Sequence, residues 1–147
     1  MAHVRQSIRD NVVTTVTGLS TTGSRVFRTR VYPLETGNLP GLCVWTSTED
    51  STVSTLTAPK YLDREVEVIV EAYVRGTANY DNTLDTICSE VEAAMAGDLD
   101  RGDNAKDTFL TRTELEFSDE GDQPIGMARM TFTVEYRTAE NNATVAK

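Results

Sequence analysis

The chain has 147 residues, enough for one domain that buries about 70% of its unfolded surface without disulfide or metal staples. Its 23 acidic and 14 basic residues leave a net charge of −9 and a pI near 4.6, so the basic footprint that tight nucleic-acid binding needs is missing. Hydrophobic residues make up 39% of the chain, and no apolar run approaches the roughly 20 residues that span a bilayer.

The first element reads as a helix. Val4, Ile8, Val12 and Val16 recur every four residues and Leu19 closes the stripe, while Arg5, Arg9 and Asp10 face water. Its valines and threonines are weak helix formers, so packing must hold it, and Gly18 is the expected stop. The opening residues carry no apolar stretch after their basic groups, so no secretory signal is expected. From Arg25 to Val31 the period becomes two, which predicts a strand ended by Pro33. A short apolar strand is expected from Gly41 to Thr46. Residues 47–59 are rich in Ser and Thr and read as a long mobile loop.

The strongest strand pattern runs from Leu62 to Val74. Leu62, Val66, Val68, Val70, Ala72 and Val74 build a core face; Glu65, Glu67, Ile69, Glu71 and Tyr73 lie opposite, on a face expected to be wet. Leu84, Ile87, Cys88, Val91, Ala94 and Met95 then form the stripe of a second helix, with Asn79 or Asp81 to cap its start and Gly97 to end it. Two closing strands, about 108–117 and 126–138, follow a charged loop. The fold class expected is α+β: a single mixed or antiparallel sheet of about five strands with two helices on one face, in the order α-β-β-β-α-β-β. One domain is expected over 1–138, with a disordered tail over 139–147.

Chemistry is harder to find. His3 is the lone histidine and sits where no neighbours are expected to tune it, which leaves no imidazole for a triad or a metal site. Phosphate-binding glycine loops and nucleophile elbows are absent from the sequence. Asp98, Asp100 and Asp103 begin like a calcium loop, but Phe109 stands where the closing carboxylate belongs, so a solvated acidic turn is the preferred reading. Arg101-Gly102-Asp103 spells an adhesion tripeptide and carries almost no information. Cys43 and Cys88 read as buried free thiols, a disulfide between them being the minor alternative. The expectation is no enzyme, no cofactor and no metal.

Contacts suit the residues better. Arg25, Arg28 and Arg30 load one early strand with positive charge, while Glu49, Asp50 and the 98–107 loop are acidic. Segregated opposite charges suit head-to-tail packing of identical subunits, against the plainer reading of ordinary surface charge. Ser24-Arg-Val-Phe-Arg-Thr-Arg-Val-Tyr-Pro-Leu34, then Leu39-Pro-Gly-Leu-Cys-Val-Trp-Thr46 and Glu49-Asp50, resembles the tail terminator family of long-tailed bacteriophages, the minor tail protein U type of lambda-like phages. The resemblance lies in motif over the first half and in element order over the second.

What it implies is a virion protein at the head-proximal end of the tail, assembled in the bacterial cytoplasm. Six copies would form a ring that caps the tail tube, stops its polymerisation and meets the neck proteins of the head, with DNA only passing through and no membrane involved. A tail-completion or head–tail joining protein is the nearest alternative, and a monomeric binding adaptor another. Arg28, Arg30, Glu49 and Asp50 are the expected contacts with neighbouring subunits or tube, chosen from charge and position.

Overall fold

In the computed structural model, which describes residues 2–28, 40–75, 80–118 and 125–147, the two longest strands pair along their whole length. The elements are α1 (Val4–Val16), β1 (Val26–Phe27), β2 (Gly41–Val53), β3 (Tyr61–Arg75), α2 (Tyr80–Ala96), β4 (Asp107–Ser118), β5 (Ile125–Ala139) and β6 (Asn142–Ala146). The sheet order is β1-β2-β3-β5-β4, with β6 also paired to β5. β1 runs parallel to β2 and every other pairing is antiparallel, so the sheet is mixed. This is the expected α+β architecture, with both helices packed on one face.

That inner face carries the core. Val66, Val68, Val70, Ala72 and Val74 of β3 pack beside Ala128, Met130, Phe132, Val134 and Tyr136 of β5, under Ile8 and Val12 of α1 and Leu84, Ile87 and Val91 of α2. The stripe of α1 is buried as the four-residue spacing requires, and Val13 joins it. Burying each such side chain contributes roughly 1.5–3 kcal/mol, which outweighs the few tenths lost at each Val or Thr to poor helix propensity. The helix ends at Val16; Gly18, at φ +91°, turns the chain where L-residues rarely go.

Three expectations change. Residues 47–53 are not loop but the second half of β2, which runs opposite β3 as far as Val53↔Leu62, past an irregularity between Thr46 and Glu49. Ser and Thr tolerate strand geometry, and a fifteen-residue partner supplies the hydrogen bonds that the local pattern does not advertise. Only residues 54–60 connect the strands, pinned by Ser54 N–H on the Tyr61 carbonyl (2.8 Å) and Tyr61 N–H on Thr55 Oγ1 (2.9 Å). The expected tail is in part a strand: β6 turns back on β5, Ala146 packs against the core, and Lys147 N–H reaches the Arg137 carbonyl at 2.8 Å. The early strand is described only as Val26–Phe27, and Asn79 and positions 29–39 lie outside the described residues.

The third change concerns the outer face, which is wet only in part. Cys43, Ile69, Glu71, Met127 and Thr131 are buried there. Glu71 accepts hydrogen bonds from Trp45 Nε1 (2.8 Å) and from Arg129 Nε and Nη2 (3.2 and 3.1 Å), so its charge is matched where it is desolvated. Cys43 lies on this face and Cys88 on α2 across the sheet, which separates the two thiols and leaves both free. Burial pushes each up to about 11.

The loop after α2 is built on a buried arginine. Arg101, Gly102 and Asp103 all take positive φ (49°, 67° and 67°), and the run is held by Asn104 Nδ2 on the Arg101 carbonyl (2.9 Å) and Ala105 N–H on the Asp100 carbonyl (2.8 Å). This geometry drives the Arg101 side chain to full burial, where Nη2 donates at 2.6 Å to the Met95 carbonyl at the end of α2, an acceptor it shares with Asp98 N–H at 3.4 Å. A cation there also opposes the negative end of the helix dipole. The carboxylates around it close the turn: Asp98 accepts from Asn11 Nδ2 and Gly102 N–H, and Asp100 from Asp103 N–H. The tripeptide is thus a helix cap. Arg101→Met, which keeps volume but removes the donor, is expected to cost about 1–3 kcal/mol in urea unfolding, because the Met95 carbonyl loses its short charge-assisted donor and keeps the longer one from Asp98 N–H at 3.4 Å; an unchanged midpoint would remove the capping role.

Candidate functional site

The four residues chosen from charge and position do not form one patch. Arg28 follows β1 and pairs with Asp10 of α1, both side chains about half exposed. Arg30 lies outside the described residues. Asp50 is exposed on the outer face of β2. Glu49 points the other way and only 12% of its side chain is accessible.

Glu49 is the centre of a clamp. Its Oε2 accepts from Arg5 Nη1 of α1 at 2.7 Å and from Arg64 Nη1 of β3 at 3.3 Å, and its Oε1 takes the hydroxyl of Tyr136 on β5. Arg64 also lies over the Tyr136 ring, 6.0 Å from its centroid. Burial first, and then the Glu49 carboxylate beside it, push the Tyr136 phenol well above its ordinary value, so it stays a donor. One carboxylate thereby ties α1 to three strands. His3 adds a second anchor: its Nδ1 accepts from Arg5 N–H at 3.0 Å and caps α1. It does have tuning neighbours, contrary to expectation. Burial, then Arg5, hold its pKa below the ordinary 6.5.

Asp50 belongs to a different arrangement. Its cross-strand partner is Glu65, whose partner on the other side is Glu135, whose own next neighbour is Asp107. Four carboxylates therefore stand in one row across β2, β3, β5 and β4. Among the described residues none of the four makes an ion pair. Like charges directly opposite each other cost a few tenths to about 1 kcal/mol per step. The row borders an open cavity of about 410 Å³ whose lining also includes Lys106 and Arg137, the latter paired with Asp63 at 2.6 Å. The alternation of β3 places Glu65 outward in the sequence, but the row exists only through strand register, which the sequence does not display.

Charge is also divided between the two edges of the sheet. Residues 2–28 carry Arg5, Arg9, Arg25 and Arg28 against Asp10 alone, and α1 packs on β1, β2 and β6 and against α2. Residues 80–118 carry ten acidic side chains against Arg101, Lys106 and Arg112, and α2 packs over β3, β5 and β4. The strand order sets β1 and β4 at opposite ends. Arg25 is partly committed inside its own edge, donating to the Pro40 carbonyl at 2.7 Å and the Thr21 carbonyl at 3.1 Å. No helix among the described residues is long and apolar enough to cross a membrane.

No family model matches the chain, and no curated protein matches it. A chain from a solved structure described as the virion of native gene transfer agent (GTA) particle is similar over 90% of this chain and 92% of that one, at 15% identity and a TM-score of 0.36. Likeness of that degree leaves function to be argued from this chain's own residues.

Two outcomes test the clamp and the cap. Glu49→Ala is expected to cost about 2–4 kcal/mol in chemical unfolding, since it strands Arg64 largely buried, and Tyr136→Phe about 1.5–3 kcal/mol. Coupling near zero in a Glu49/Arg64 double-mutant cycle would dissolve the clamp. For His3 the neutral ring is the capping form and its folded pKa is lowered, so its contribution is present above about pH 6.5 and lost as pH falls through the lowered value. His3→Ala should thus destabilise by about 0.5–1 kcal/mol near neutral pH and match the parent in acid, as read from paired melts at both pH values.

Proposed function

We propose that the chain is a structural virion protein of the tail terminator type. Identical copies join head to tail into a six-membered ring that caps the finished tail tube, stops addition of tube protein and offers a surface to the neck proteins of the head. Sequence motifs from Ser24 to Asp50 support the family reading. The observation that carries the assembly reading is the division of charge between the β1 and β4 edges, because a subunit with unlike edges can join its own copies in a closing ring. The chemistry asked of such a protein is steric: one ring face repeats the tube's stacking contact and the other lacks what the next tube ring needs. The acidic row fits a particle through which DNA slides without sticking, as like charge repels phosphate.

Tube polymerisation decides it. Purified tube protein should stop growing when the chain is added, giving short tubes in electron micrographs with the chain at one end, and light scattering should find six copies there. Tubes of unaltered length, with the chain monomeric at every concentration, would move the assignment to a neck joining protein or an adaptor.

A further inference from the structure

The two helices are held by different means. α2 carries Asp81 in its first turn and meets the Arg101 guanidinium at its end, so charge opposes both poles of its dipole. α1 has no acidic residue in its first turn and no basic one in its last, and Arg5 sets a cation at its positive end. The run from Val12 to Val16 is β-branched throughout, the class that loses side-chain freedom against the preceding helical turn. Thr14 and Thr17 turn their hydroxyls back on the carbonyls of Asp10 (3.1 Å) and Val13 (2.6 Å), which weakens this end further. A helix of 13 residues is marginal in water even when built from good helix formers, and this one is not. What keeps α1 helical is burial against β2, β6 and α2, together with the bonds at its two ends.

Those ends differ in kind. At the first, Arg5 Nη1 meets Glu49 Oε2 at 2.7 Å, and Glu49 keeps Arg64 and Tyr136 as partners of its own, so its place in the sheet does not depend on α1. The other side-chain ties are weaker: Arg9 to Thr46 at 3.3 Å, Asn11 to Asp98 at 3.2 Å, and the exposed pair of Asp10 with Arg28. At the second end the chain leaves the helix through Thr17, already extended at φ −82° and ψ 134°, into a turn that closes on itself. Gly18 and Gly23 take φ +91° and +58° there; Gly18 N–H donates to the Gly23 carbonyl at 2.8 Å and Gly23 N–H to the Leu19 carbonyl at 2.7 Å. This turn is fastened to α2, because Thr21 N–H and its hydroxyl donate to the Glu90 carboxylate at 3.0 and 2.6 Å. We infer that α1 is a lid, latched by Arg5 on Glu49 and hinged at Thr17–Gly18, which opens as a unit while the sheet and α2 stay folded. Opening uncovers the apolar inner face of β2 at Leu42 and Val44. Neither ring nor tube enters, so the inference stands apart from the function proposed above.

Native-state hydrogen exchange on the full chain at neutral pH, in a series of urea concentrations below the unfolding transition, reads each opening separately. Ile8 and Val12 should exchange through an opening about a hundredfold or more above the population of the one that frees Val68 and Met130. Its urea dependence should be the shallower of the two, since less surface is exposed. Thr21 and Gly23 should keep their protection in that step. Arg5→Gln should populate the α1 opening about tenfold more. Arg129→Lys, which loosens the contact with Glu71 on the far face of the sheet, should cost Val68 and Met130 about tenfold in protection and leave Ile8 and Val12 unchanged. Ile8 and Val12 that share the protection and urea slope of the sheet overturn the inference, and so does Arg129→Lys weakening them equally. Thr21 and Gly23 opening together with α1 removes the hinge, and α1 protection unmoved by Arg5→Gln removes the latch. The wild-type urea series needs no variant, so it decides even where a substitution fails to fold.

Discussion

The β3–β5 ladder is the constraint on which the rest of the molecule hangs. It pairs every residue from Tyr61↔Ala139 to Arg75↔Ile125 without a break. A one-residue slip would turn Val66, Val68 and Val70 outward and drive Glu65, Glu67 and Glu71 into the core. A two-residue slip keeps the faces but sets Glu71 against Met127 or Thr131. The native register instead puts Glu71 beside Arg129 and Asp63 beside Arg137, and both pairs are ion pairs. Hydrophobic alternation thus chooses the face, and two cross-strand charge pairs choose the alignment. With that ladder fixed, β2 and β4 have one place each, and the helices have one apolar surface to cover.

Placing α1 takes more than that surface. Its stripe would pack on the inner face in several orientations, but Arg5 reaches Glu49, and Glu49 is already held by Arg64 and Tyr136. The clamp therefore fixes the N-terminal turn of the arginine-bearing helix over β2, β3 and β5. The acidic α2, its loop and β4 are fixed at one edge of the sheet by the buried Arg101 and the core stripe from Leu84 to Met95. The separation of charge is a rigid property of the fold rather than an average over mobile tails.

Periodicity made much of this visible in the sequence. Both helices, the inner face of β3 and the two closing strands follow directly from spacing, because burial on one side imposes a period of 3.6 or 2. What stayed hidden depends on partners distant in the chain. Residues 47–53 look like loop because Ser and Thr carry no apolar alternation; β3 makes them a strand. Residues 142–146 look like a tail until β5 supplies their edge. Glu71 reads as a solvated carboxylate because Trp45 and Arg129 are 26 and 58 residues away. The site residues divide in the same way. Charge marked Glu49 and Asp50 as notable, but adjacent positions on a strand face opposite ways, so one is a structural clamp and the other part of the acidic row.

That row bears on how copies of the chain can meet. Asp50, Glu65, Glu135 and Asp107 repel across three successive strand pairs, and a lysine at position 65 would relieve two neighbours at once. The fold bears the cost because each step is small beside the burial of the inner face. What the row does is disfavour one geometry. Stacking two outer faces in register would set one line of carboxylates against another, with Lys106 and Arg137 beside each line. Repulsion of that kind works against face-to-face association and leaves the edges of the sheet untouched. In the assembly proposed above, that repulsion favours contacts through the edges of the sheet over contacts through its outer face.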